Sequence, residues 1–170
     1  MSAGAGRHKK FWGWGYEDEP VPLEEAAAVR AHIAGLLGPL DEPLAVPTVD
    51  AIDLPRPRLE VPSTLQAIAS AKPIDRLTHA YGKSFPDTAR AFQGIFPHSP
   101  DCVIYPETED QIEAVFDWAV GARVAVIPFG GGTSVCGGVE CDVGAAYAGA
   151  VSLDLGRLNR VIEVDKTARA

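Results

Sequence analysis

Apolar and polar positions along the chain repeat first with a helical period and later with a mixture of helical and strand periods. From Leu23 to Leu37, Ala26, Val29, Ile33, Leu36 and Leu37 fall on one helical face, and Gly38-Pro39 is a stop signal. Ser63 is placed to cap a short helix through Ala71, with Pro73 closing it. A further short helix is predicted over Phe85–Phe92, with Pro86 in its first turn and Asp87 set favourably against the helix dipole. Beyond Pro97 the pattern becomes regular. Cys102-Val103-Ile104-Tyr105 reads as a strand, and Thr108 followed by Gln111 reads as a capping box. The helix it opens carries Ile112, Val115, Phe116, Ala119 and Val120 on one stripe, and Gly121 ends it. Val124–Ile127 is a buried strand, so the segment is a βαβ unit, which implies a parallel pair. Further strands are predicted at Ala150–Leu153 and Val161–Val164, with Asp154–Asn159 as the turn between them. There are no internal repeats.

Residues 39–62 contain six prolines and read as an extended connector. Before the first helix, Arg7, His8, Lys9 and Lys10 are followed by Phe11-Trp12-Gly13-Trp14-Gly15-Tyr16 and then by Glu17-Asp18-Glu19. So many aromatic rings do not stay solvated. They either dock on the body of a larger protein or mark a partner surface.

The strand at Val124–Ile127 delivers the most distinctive segment, Pro128-Phe129-Gly130-Gly131-Gly132-Thr133-Ser134-Val135-Cys136-Gly137-Gly138. Glycines let successive backbone N–H groups converge on one point, and the natural object of such donors is an anion such as a phosphate. A P-loop requires Lys before the Ser/Thr pair, and Thr133-Ser134 has none. A dinucleotide fingerprint requires a helix after its glycines, and Gly137-Gly138-Val139-Glu140 is a poor helix start. A plain structural turn stands beside these readings.

A formal net charge of −8 excludes a nucleic-acid backbone as partner. No apolar stretch approaches the roughly 20 residues needed to span a bilayer, and the polar N-terminus lacks a signal-peptide core, which predicts a cytoplasmic location. Cys102, Cys136 and Cys141 form no CxxC pair, and the four histidines are scattered. They read as ordinary thiols and imidazoles, with no metal site.

The ordered series Phe96–Pro106, the helix from Glu109, Val126–Val135, Val151–Leu155 and Leu158–Val161 resembles the FAD-binding domain of the vanillyl-alcohol-oxidase or PCMH type. The resemblance covers about residues 96–170. It implies an α+β fold in which a βαβ lobe is followed by the start of a second, mixed-sheet lobe, incomplete at its C-terminal side and preceded by a helical and irregular region over 1–95. It also implies that Pro128, Phe129, Gly130, Gly131, Gly132, Thr133 and Ser134 wrap the FAD pyrophosphate through backbone N–H groups and the two hydroxyls. Some members attach FAD through a histidine in this loop. Thr133 occupies the matching position, so non-covalent FAD is expected.

Upstream, Lys10–Tyr16 and the stretch from Arg76 to Phe92 with Tyr81-Gly82-Lys83-Ser84 are similar to the N-terminal region of the alkyldihydroxyacetonephosphate synthase family and its bacterial relatives. That family exchanges an acyl chain for a fatty alcohol, so the resemblance implies a lipid-like substrate. It also leaves room for peripheral membrane contact and a homodimer in the full-length enzyme. A FAD-linked D-2-hydroxyacid dehydrogenase or oxidase is the alternative, and a non-catalytic remnant or partner-binding module the second. The family's catalytic residues match nothing in 1–170, so none is assigned, and the chain reads as cut within a domain and inactive alone. Asp154 reads as a turn-initiating aspartate in preference to a contact with the cofactor region, Arg157 and Arg160 as solvated charges, and Trp118 as packing against the N-terminal segment.

Overall fold

The computed structural model describes residues 7–20, 22–164 and 166–167. Residues 1–6 and 168–170, counted into the two predicted regions, and Asp165 lie outside the described residues. Helix α1 spans Leu23–Leu37 and ends on Gly38 at φ +91°, a conformation that favours glycine. None of its residues is buried. The segment from Ser63 does not form the expected helix through Ala71. It passes through a turn of 3₁₀ helix at Gln66–Ile68 into strand β1 at Ala69–Ser70. Pro73 then opens helix α2 (Pro73–Thr78) instead of closing one, because proline suits a first helical position whose N–H needs no partner. Helix α3 covers Phe85–Phe92. Its Ser84 cap and Asp87 exchange hydrogen bonds with each other's backbone.

Strand β2 is Cys102–Ile104, helix α4 Glu109–Ala122, strand β3 Val124–Phe129 and strand β4 Gly149–Asp154. Thr108 accepts from Gln111 N as predicted, but the Gln111 side chain accepts from Glu107 N instead of completing the box on Thr108. Gly121 does not end α4. The helix runs one residue further, and Arg123 turns left-handed at φ 55°.

The sheet order is β1-β2-β4-β3, with β1 antiparallel and the other three parallel. The expected parallel partners β2 and β3 are therefore not neighbours. β4 lies between them and pairs with both. The predicted strand at Val161–Val164 is not formed. Both flanks of β4 are already taken, and these residues run as exposed irregular chain with Ile162 83% exposed. Among the described residues the strands form one four-stranded sheet.

Alternate residues face opposite sides of the sheet. Cys102, Ile104, Val124, Val151 and Leu153 meet Val115 and Ala119 of α4, with Leu65 closing the cluster. The helix stripe is narrower than its sequence suggests, since Phe116 and Val120 are exposed. Trp118 packs against this cluster, while Phe11 and Trp12 belong to another. On the other face lie Ala125, Ala150 and Cys141. A third cluster joins Phe11 to Leu77, Ala80, Tyr81, Ala91 and Phe96. Of the two readings of the aromatic N-terminus, docking on the body is the observed one. Phe11 is edge-on to Phe96 at 6.0 Å and Trp12 to Phe92 at 5.6 Å.

Among the described residues no helix is long and apolar enough to cross a membrane, and no cluster of three or more His, Cys, Asp or Glu side chains is placed to hold a metal.

Candidate functional site

Three parallel strands end at one edge of the sheet. Ile104 of β2 pairs with Leu153, and Phe129 of β3 pairs with Asp154 of β4. Open parallel sheets place their ligands outside such carboxyl ends. Here that edge opens into a cleft of about 900 Å³, lined among others by Lys9, Asp75, His79, Tyr105, Phe129 and Asp154.

The glycine-rich loop leaves β3 at this edge. Pro128 is exposed and Phe129 buried. Gly130, Gly131 and Thr133 are exposed, so the backbone on either side of Gly132 lies open to a ligand. Gly132 is buried at φ +70°, and a Cβ there would stand 2.5 Å from Phe129 Cζ. Two constraints therefore require glycine at this one position. The N–H groups of Gly131 and Gly132 meet no protein acceptor among the described residues. Ser134 is engaged within the chain. Its Oγ accepts from Gly138 N at 3.0 Å, and its carbonyl accepts from Lys83 N at 2.6 Å.

The loop is bracketed by two lysines remote in sequence. Lys9 Nζ donates to Gly131 O at 2.7 Å and reaches Gly130 O at 3.5 Å. It also lies 5.5 Å from the centre of the Phe129 ring. Lys83 Nζ donates to Lys10 O at 2.7 Å. Burial, aided by the like charge of Lys9 and opposed by Asp87, pulls Lys83 down to about 8. Gly82 passes under the loop so closely that a Cβ would collide with Ser134 O.

Below the loop, His79 Nδ1 bonds to Asp75 O at 2.7 Å and Nε2 to Asp154 Oδ2 at 2.8 Å, with its ring 4.2 Å from that of Phe129. Asp154 also accepts from Gly156 N, so the predicted turn aspartate is present and has a second task. Burial works to raise its carboxyl, but the bonds from His79 and Gly156 hold it below the ordinary range. Tyr105 Oη donates to Asp75 at 3.0 Å, and burial beside that carboxylate pushes its phenol well up. Arg157 forms an exposed pair with Glu107, consistent with its reading as a solvated charge. Cys102 and Cys141 are buried with thiols pushed up to about 12, and Cys136 is exposed.

Lys9, Lys83 and His79 were not visible as site residues in the sequence. They touch loop residues 50 to 122 positions away, and only the packing of the N-terminal turn and of the segment after α2 against the end of β3 and the glycine loop brings them there.

Residues 100–170 match the family described as FAD binding domain. The match takes in 71 of the chain's 170 residues, and over them the chain is similar to an FAD-binding domain. FAD is the cofactor to which this domain points. The chain is 38% identical over 90 residues to alkyldihydroxyacetonephosphate synthase of Trypanosoma brucei brucei, covering 53% of this chain and 15% of that protein. To the synthase of Dictyostelium discoideum it is 29% identical over 152 residues, covering 89% of this chain and 23% of that protein. A solved alkyldihydroxyacetonephosphate synthase superposes with a TM-score of 0.74 at 25% identity, covering 94% of this chain and 35% of that one. The α+β architecture with its mixed four-stranded sheet is thus that of the PCMH-type FAD-binding fold. The chain spans between about a seventh and a third of the length of these relatives.

Proposed function

We propose that this chain is the N-terminal portion of an FAD-dependent alkyldihydroxyacetonephosphate synthase-like enzyme and that Pro128–Ser134 holds the FAD pyrophosphate. The observation that carries the reading is the open glycine backbone at the carboxyl edge of the sheet, with the Gly131 and Gly132 N–H groups unpaired among the described residues. A buried diphosphate requires donors around it, and side-chain-free backbone supplies them at close range. Lys9 and Lys83 add positive charge beside the loop. These residues fit a diphosphate.

The synthase relatives support a synthase over a hydroxyacid dehydrogenase, because the likeness to them extends over 89–94% of the chain, well beyond the residues that match the FAD-binding domain. On this reading the substrate is a lipid-like ester of dihydroxyacetone phosphate. FAD, when bound, supplies a redox-active ring. This chain's own contribution is to bind and orient the cofactor's diphosphate, and Thr133 offers no imidazole for a covalent link.

The full-length protein, purified and denatured by acid, tests the reading. Intact FAD should pass into the supernatant, and Gly131→Val should lower flavin occupancy without changing the fold. A full-length protein that takes up no added FAD, or that keeps its flavin attached after denaturation, overturns it.

A further inference from the structure

We propose that Lys9 is a positioning residue for the diphosphate site, turning the Gly131 and Gly132 N–H donors towards the ligand from the opposite side of the loop. The inference rests on the cofactor reading above and adds a residue to it that lies in none of the glycine motif. A planar trans peptide directs the carbonyl of one residue and the N–H of the next to opposite edges. No described peptide bond is cis. By holding Gly130 O and Gly131 O on its own side, the ammonium of Lys9 therefore sends the Gly131 and Gly132 N–H groups away from itself. Neither of these donors finds an acceptor among the described residues, and the same holds for the Thr133 and Ser134 N–H groups that follow them.

The rest of the N-terminal turn fixes Lys9 in place. Lys9 is bridged to Tyr16, Lys10 N donates to Gly15 O at 3.0 Å and Glu17 N to His8 O at 2.9 Å. Phe11, 3% exposed, anchors the turn in the third cluster, and Lys83 clasps it through Lys10 O. Lys83 N and Gly82 hold the far end of the glycine loop at Ser134. The aromatic segment thus has a task at the cofactor site, which is to carry one ammonium to two glycine carbonyls.

An isolated triglycine would sample many peptide orientations. Fixing two of them in advance spares that ordering cost on binding, which is the source of gain in any preorganised site.

The test is FAD affinity of the flavin-stripped full-length protein, measured by flavin fluorescence for wild type, Lys9→Met, Lys9→Gln and Lys9→Arg. Loss of the charge-assisted bonds to the Gly130 and Gly131 carbonyls, which orient the N–H groups, predicts binding weaker by on the order of ten-fold or more in Lys9→Met. Lys9→Gln, which keeps one uncharged donor, should fall between, and Lys9→Arg should lie near wild type. A mere long-range charge effect would vanish at about 0.5 M salt, whereas the positional effect persists there. Should Lys9→Met fail to fold, Lys9→Gln carries the comparison. Wild-type protein that binds FAD while the folded Met or Gln variant binds it equally well overturns this inference alone, as does a deficit that salt abolishes. Wild-type protein that binds no FAD overturns the cofactor reading and this one with it.

Discussion

Gly132→Ala separates the two tasks of the glycine loop. At φ +70° a residue with a Cβ costs about 1–2 kcal/mol through its clash with the following carbonyl. The new methyl would also stand 2.5 Å from Cζ and 3.0 Å from Cε1 of Phe129. That ring cannot easily yield. It is 2% exposed, lies against His79, and its backbone is paired in register with Asp154. Overpacking of this kind costs about 1–3 kcal/mol, so the variant should lose roughly 2–5 kcal/mol. Gly130→Ala is the contrast. Its φ is not in the left-handed region, and no heavy atom lies within 4 Å of the place a Cβ would take, so stability should change by no more than about 0.5 kcal/mol. On the proposed function the same exposed methyl at Gly130 obstructs the diphosphate and weakens FAD binding. Urea denaturation of the full-length protein, fitted for midpoint and slope, reads the first effect, and flavin titration reads the second. Equal stability of Gly132→Ala and wild type would refute the packing argument, and so would a Gly130→Ala loss as large as that at Gly132.

Three further outcomes follow from the geometry. Lys83 sits at about 8 in the folded chain against an ordinary 10.5, so the unfolded state binds more protons between those values and wild-type stability rises with pH across that window. The increment has an upper bound of about 3 kcal/mol, and the wild-type-minus-Lys83→Met difference in denaturation midpoint should follow it; a difference flat from pH 7 to pH 10 would refute the assignment. Asp101→Ala should cost about 2–4 kcal/mol, because Asp101 accepts from Arg58 N, Nε and Nη2 and from Ala150 N. Burial works against this carboxyl, but those bonds hold it below 3.8, so wild type keeps the increment above that pH and loses it as pH falls further, and acid titration should find the two proteins converging there. Ser152→Ala should be neutral or slightly stabilising by thermal melt, since the Ser152 hydroxyl is fully buried in β4 and has no partner among the described residues.

Local signals carried much of the fold. The α1 and α3 boundaries, the Thr108 cap, β2, β3 and β4 all follow from periodicity and capping chemistry that act within a few residues. Pairing partners were not legible in the same way. Periodicity says that Cys102–Ile104 and Val124–Phe129 are strands, but not that a strand twenty residues further on enters between them. Val161–Val164 has the composition of a strand, but β4, which precedes it, is already paired on both flanks, and the segment runs exposed and joins no edge, so propensity alone misplaces it. Pro73 shows a signal with two meanings, since proline both stops and starts helices. At the site, the glycine loop was plain from composition. Lys9, with its basic neighbours in an acidic chain, resembled any solvated cation until the aromatic turn placed it on two carbonyls.

The position of β4 has a consequence for how the molecule is made. The strand that pairs with both β2 and β3 is the last of the four to leave the ribosome, and its start at Gly149 must slip beneath Leu59 and Asp101, where a Cβ would meet atoms at 2.7 and 2.5 Å. During synthesis β2 and β3 are therefore exposed and unpaired with each other while some twenty residues of glycine-rich chain are added, a matter of about one to four seconds at ordinary elongation rates. Such long-range closure is slow, and open strand edges attract other nascent chains. A substitution at Gly149 would thus be felt first in the yield of soluble protein, before any defect in the finished cofactor site had the chance to appear.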